Sequence, residues 1–268
     1  MLKSISNIAW PATDEEWALE ELQRRGWNAI EVAPSRVWED FRKITTEKRK
    51  LYLDKIKSYN LQVCSLHSLF FGIEGADIFG TNAEQKFFVE YLLDLVDLAS
   101  DLEAKVLILG SPKVRERKNY RMEQAMNIAA QVLREPAQYA NEKKIKILIE
   151  PLSKKETNFI NTHDEGLELV ELVNNNGFGL HLDEKAVVCE EGSIENNIKE
   201  CENKFWHFHI NESDLTRIIY SEQHNTVAET LKNIKYSNYI SIEMRTEENY
   251  RDAILKSLDC VDFMYKEQ

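Results

Sequence analysis

Scarcity narrows the function of this chain before any motif is read. Its four cysteines, Cys64, Cys189, Cys201 and Cys260, form no CxxC pair and no zinc-finger spacing. They are expected to be reduced thiols of a cytosolic protein rather than a disulfide frame. Only nine glycines and five prolines occur in 268 residues, and no stretch rich in Gly, Pro or Ser reads as a linker. The segment Ser6-Asn7-Ile8-Ala9-Trp10-Pro11 is not the glycine-rich phosphate loop that usually follows the first strand of a doubly wound sheet. Positive charge is also short, with 34 Lys plus Arg against 46 Asp plus Glu, a net of -12. Such a surface repels a phosphate backbone, so no nucleic-acid partner is expected, although pockets for small anions stay open. No apolar run approaches the ~20 residues that cross a bilayer. The amino terminus lacks the basic and apolar regions of a signal peptide. A cytoplasmic protein with no membrane partner is the expectation.

What is present alternates between strand-like and helix-like runs. Strands are expected at 4–9, 29–33, 61–66, 105–110, 146–150, 178–183, 205–211 and 239–243. Helical patterns fall at about 14–25, 46–58, 83–100, 119–141, 163–174 and 247–265. Eight β-then-α units without a linker predict one closed parallel (β/α)8 TIM barrel over residues 1–268. In such a barrel the carboxyl ends of all strands open onto one face, where active sites lie.

Four of these runs end alike. Lys146-Ile147-Leu148-Ile149-Glu150 meets Pro151, which lacks a backbone donor and so leaves Glu150 at the strand end. The runs ending at Asp183, around His209, and at Glu243 repeat the pattern. Barrel closure brings all four together. Three carboxylates without a cation repel one another and are driven toward protonation. A divalent metal removes that conflict, and one imidazole with three carboxylates suits Mn²⁺, Mg²⁺ or Co²⁺, with Zn²⁺ less favoured. Taken singly, each strand-end acid also fits a helix cap or an ion pair. His207 and His209 share one side of their strand, and both also fit as hydrogen-bonded interior histidines.

Here the chain resembles the xylose-isomerase-like barrels of the sugar phosphate isomerase/epimerase group, over essentially its whole length. The segment Glu150-Pro151-Leu152-Ser153-Lys154-Lys155-Glu156-Thr157-Asn158 is similar to the EPLxxxETN segment of ketose 3-epimerases. The resemblance implies Glu150, Asp183, His209 and Glu243 as metal ligands, Glu150 and Glu243 as the acid/base pair, and Glu156 as a substrate contact. Ser6-Asn7-Ile8-Ala9-Trp10, Ile30-Glu31-Val32-Ala33-Pro34 and Gly110-Ser111-Pro112-Lys113-Val114-Arg115 resemble a branch often associated with polysaccharide biosynthesis. One departure stands out. Many relatives carry DxxH after strand six, whereas Asp183-Glu184-Lys185-Ala186 places Ala186 where that His would stand.

Further rim residues complete the expectation. Lys113 and Arg115 form a candidate clamp for a phosphate or carboxylate, with a solvated charge cluster as the alternative. Arg217 resembles a substrate-contacting Arg of the epimerases, and His67 lies just past strand three. Trp10 and Trp38 sit in the first two β-to-α loops, where rings can pack on the apolar faces of sugars. Lys185 is a candidate replacement for the absent His. The reading is a divalent-metal-dependent isomerase or epimerase of a sugar or sugar phosphate, acting through an enediolate. An inosose-type dehydratase and a barrel that binds sugar without turnover are the alternatives. An abasic-site endonuclease would need a His-rich multi-zinc site and a basic face, against six histidines and a net charge of -12. A homodimer is left open.

Overall fold

The computed structural model describes residues 1–266. Among them, eight strands run in sequence order: β1 Leu2–Ser6, β2 Ala29–Val32, β3 Gln62–Leu66, β4 Val106–Leu109, β5 Lys146–Ile149, β6 Phe178–Asp183, β7 Phe205–Ile210 and β8 Tyr239–Ile242. Each pairs in parallel with the next, and β8 returns to β1, with Leu2 opposite Tyr239 and Ile5 opposite Ile242. The expected closed (β/α)8 barrel is the fold. The strands are short and apolar because both faces are covered, by helices outside and by the opposite wall inside.

The helices are α1 Glu15–Arg24, α2 Pro34–Val37, α3 Thr46–Ser58, α4 Asn82–Asp101, α5 Met122–Glu142, α6 His163–Val173, α7 Glu184–Cys189, α8 Ile194–Glu200, α9 Glu222–Asn233 and α10 Tyr250–Met264. Thr81 and Glu84 close a capping box at the start of α4, which satisfies amide groups that a helix start otherwise leaves free. The buried stripe of α5 is mostly small, with Ala125, Ala129, Ala130, Ala137 and Ala140 beside Leu133. No helix among the described residues is long and apolar enough to cross a membrane.

Two differences from the sequence expectation matter for the site. The first strand stops at Ser6, whose hydroxyl accepts from the Ile8 amide and turns Asn7–Ala9 into a 3-10 helix. After β6 the chain enters α7 at once, because Asp183 Oδ1 accepts from the Ala186 amide at 3.1 Å. That strand-end carboxylate is therefore a helix cap as well as a member of the mouth cluster.

The barrel interior is unusually polar. Glu31 of β2 accepts from Ser65 of β3 at 2.7 Å and from Ser241 of β8 at 3.3 Å, and it meets His209 of β7. Since β2 and β7 are not neighbours in the sheet, the contact with His209 spans the lumen. Such barrels ordinarily fill that layer with Val, Ile and Leu, so a bonded acid and its histidines occupy space that packing alone would give to hydrocarbon.

Candidate metal centre at the barrel mouth

At the carboxyl ends of β5 to β8, four side chains turn toward one point. His209 Nδ1 lies 3.6 Å from Glu243 Oε2, 3.7 Å from Asp183 Oδ2 and 4.0 Å from Glu150 Oε1. Asp183 and His209 are buried, Glu150 is 6% exposed, and Glu243 is half-buried. Gly110, just past β4, gives the Glu150 carboxylate its room: a Cβ there would stand 1.8 Å from Oε2.

The charges are in tension. Burial first, and then the charge of Asp183, push the Glu150 carboxyl up to about 8. Burial acts the same way on Glu243, yet His209 and His67 outweigh it and hold that group down to about 2. Packed this closely, the acids do not all ionise unaided.

A cation resolves this. His209 Nδ1 is buried with no hydrogen-bond partner among the described residues, while Nε2 lies 2.9 Å from Glu31 Oε2. An imidazole anchored by a carboxylate on one nitrogen, with the other aimed at open acceptors, is how metal-ligating histidines are held. Bonds of ~2.1 Å place neighbouring ligand atoms about 3 Å apart, so each acid, 3.6 to 4.0 Å from His209 Nδ1, needs to approach that nitrogen by no more than about an ångström. Glu150, Asp183 and His209 offer ligand atoms within 4.8 Å of one another, in a group that does not include Glu243. The residues fit a divalent ion, and the oxygen-rich set favours a hard one.

Above the cluster lies a cavity of ≈ 450 Å³, within the roughly 300–1,000 Å³ usual for small-molecule sites. Glu150, Glu243 and His67 line it together with Lys113, Glu156 and Lys185. The xylose isomerase-like TIM barrel family matches residues 19–264. This chain belongs to that family. Solved structures share the fold of this family member: D-psicose 3-epimerase from Clostridium cellulolyticum H10 with D-tagatose has 17% identity, 98% of each chain covered and a TM-score of 0.83. D-allulose 3-epimerase from Methylomonas sp. with D-allulose has 21% identity, covers 99% of this chain and 97% of its own, and has a TM-score of 0.79. The IolI protein with a bound zinc atom has 16% identity, 99% and 98% coverage and a TM-score of 0.75. No curated protein sequence matches the chain.

Within this xylose isomerase-like barrel, the other expected residues divide into two groups. His67 Nε2 is 2.6 Å from Ser6 Oγ, and its Nδ1 is 3.4 Å from Glu243 Oε1. Glu156 accepts from the Ser153 amide and hydroxyl and pairs with Lys185 Nζ at 3.1 Å. Burial works against the charge of Lys185, but Asp183, Glu243 and Glu150 raise its pKa. This lysine stands at the mouth, one residue before Ala186.

Four residues are placed elsewhere. Trp10 is 1% exposed in the core and Trp38 packs edge-on against Tyr52; neither lines the cavity. The rings that do line it are Phe70 and Phe71, from the loop after β3. Arg115 does not face solvent beside Lys113. The 3-10 turn Pro112–Val114 directs it inward, where Nη2 donates to the Glu150 carbonyl at 2.6 Å and burial pushes its pKa down to about 10. Its contact is thus with the main chain beneath Glu150, and the expected two-cation clamp is reduced to Lys113. Arg217 opens onto a separate surface cavity with Ile219, Tyr220 and Phe263, its amide bonded to Glu247.

Two residues of the centre went unassigned by sequence reading. Asn211 Nδ2 donates to Asp183 Oδ2 at 2.5 Å and to Glu243 Oε2 at 3.2 Å, bridging two of the candidate ligands. Glu31 anchors His209. Each had a signal: Asn211 follows His209 by two and so shares its side of the chain, and Glu31 is the lone charge in the apolar run Ala29–Ala33.

Proposed function

We propose that this protein is a divalent-cation-dependent isomerase or epimerase of a sugar or sugar phosphate. One observation carries the reading: Glu150 and Glu243, from strands five and eight, line one cavity around a nitrogen-and-carboxylate cluster that fits a cation. Moving a carbonyl along a sugar, or inverting the carbon beside it, begins with loss of a weakly acidic C–H proton. Glu150, Asp183, His209 and Glu243 would hold the cation, which when bound supplies charge stabilisation to the enediolate oxygens. Of the two glutamates, one as carboxylate takes the proton, and the other, in its protonated form, delivers its own proton to the opposite face. A single base suffices for a shuttle between adjacent carbons, so the pair supports inversion in particular. His67 and Asn211 steady Glu243, and Phe70 and Leu152 keep water from the apolar side of the pocket.

The ketose 3-epimerases of like fold give this reading further support, since free ketoses, D-tagatose and D-allulose, accompany them in their structures. The rim adds to it. Arg115 is turned inward and Lys185 is engaged by Glu156, so among the described residues that line this cavity Lys113 is the cation left to meet a phosphate.

The test is incubation of the Mn²⁺-loaded protein in D₂O with ketopentoses, ketohexoses and their phosphates. One deuterium at a single carbon, with no water lost, is expected. Glu150→Gln and Glu243→Gln should each cost about 10²–10⁴-fold in turnover. Loss of water from the product would make it a dehydratase. Mn²⁺ retention without turnover across the panel would make it a binding barrel.

A further inference from the structure

His181 is a buried polar side chain that the proposed chemistry leaves unused. It lies in β6 two residues before Asp183, on the same side of the strand, and is fully buried. Neither ring nitrogen has a hydrogen-bond partner among the described residues. A buried imidazole left in this state forfeits both a donor and an acceptor, which native interiors rarely tolerate without a reason.

The surroundings say what would satisfy it. The rings of His181 and His209 are 4.3 Å apart between centroids and cross at 71°. One His181 nitrogen lies within 4.8 Å of ligand atoms from Glu150, Asp183 and His209. His209 Nε2 is engaged by Glu31 and His207 Nε2 by Ser65 at 3.3 Å. His207 Nδ1 is unbonded too, and His181, His207 and His209 offer nitrogens within 4.8 Å of one another; of the groups facing His181, those at the mouth add the carboxylates Glu150 and Asp183.

We propose that His181 supplies a second imidazole ligand to the mouth cation. The inference rests on the cation site proposed above. It changes the character of that site, because two nitrogens with carboxylates shift preference from Mg²⁺ toward Mn²⁺, Co²⁺ and Zn²⁺. It would also account for a buried, unbonded ring at a place that bulky aliphatic side chains usually fill in such barrels.

The experiment is pulsed EPR of the full chain loaded with Mn²⁺ alone, which counts coordinated imidazole nitrogens without any need for turnover. Two are expected in the unaltered protein and one in His181→Gln, with Mn²⁺ affinity about tenfold weaker or more. A single imidazole in the unaltered protein overturns the assignment while leaving the mouth site standing. So do two imidazoles that persist in His181→Gln. Absence of any bound Mn²⁺ overturns the site itself, and His181 with it. If His181→Gln does not fold, the count in the unaltered protein decides alone.

Discussion

Glu31 reaches across the lumen to His209, Oε2 to Nε2 at 2.9 Å, and so fixes which nitrogen of that ring faces the mouth. Burial alone would push the Glu31 carboxyl up, but His209 and His67 hold it well below the ordinary value. An ionised acceptor keeps the proton on Nε2 and leaves Nδ1 for a ligand role. Glu31→Gln keeps the shape and removes the charge. Mn²⁺ affinity should fall about 10–100-fold with the fold intact, as read by calorimetric titration and circular dichroism. Unchanged affinity would mean the anchor has no part in ion binding.

Gly110 acts by what it lacks. Its backbone is not in the left-handed region, so alanine is conformationally acceptable, yet the added methyl would sit 1.8 Å from Glu150 Oε2 and 2.9 Å from its Cδ. The carboxylate must therefore move. Gly110→Ala should melt close to the unaltered protein while losing about 10² in turnover, the usual cost of an ångström of misplacement. A melting scan beside Mn²⁺ titration separates this from unfolding. Full activity would show that Glu150 has freedom to relocate.

The barrel and its four strand-end residues were legible for one reason: a strand that stops at a titratable side chain is a local pattern, and closure is a global rule that assembles four of them. Local pattern failed where a turn decides direction. Lys113 and Arg115 look alike in sequence, but the turn at Pro112–Val114 leaves the first exposed and buries the second. Trp10 reads as a rim residue only if the first strand runs to Ala9; it stops at Ser6, and the ring enters the core. Helices α7, α8 and α9 drew no assignment. The first two are only 6 and 7 residues long and depend on the side-chain caps Asp183 and Ser193. Cross-lumen bonds such as Glu31 to His209 join residues 178 positions apart, which no periodicity signals.

Stability should carry a pH signature from outside the cluster. His224 is buried between Glu184, 2.7 Å from Nδ1, and Glu212, 3.0 Å from Nε2. Burial opposes its charge, but those carboxylates push its pKa up to about 9. The ordinary value is about 6.5, so the stabilisation is fully present below that pH and is lost as pH rises through about 9. The shift alone corresponds to about 3 kcal/mol. Burial also raises the Glu184 carboxyl, and desolvation of the pair cancels part of that, leaving about 2 kcal/mol. Urea denaturation of the unaltered protein and His224→Gln should differ by that amount at pH 6 and converge above pH 9. A gap that is constant across this range would assign the loss to packing instead.

Phe71 offers the last test, at the rim. Its ring is 74% exposed yet lines the cavity over Glu150 and Glu243, a position with little reason in folding. Phe70 beside it is different: buried at 5%, it stacks on Phe88 at 4.9 Å and belongs to the core. An apolar ring at the mouth matches the C–H face of a sugar and should grip ground state and transition state alike. Removing such uniform binding raises KM and spares kcat. Phe71→Ala should therefore raise KM about tenfold, or roughly 1.4 kcal/mol, with kcat within a few-fold and melting temperature unchanged. A fall in kcat at constant KM would place the ring in the reaction step, as a closure that shields the proton transfer from water.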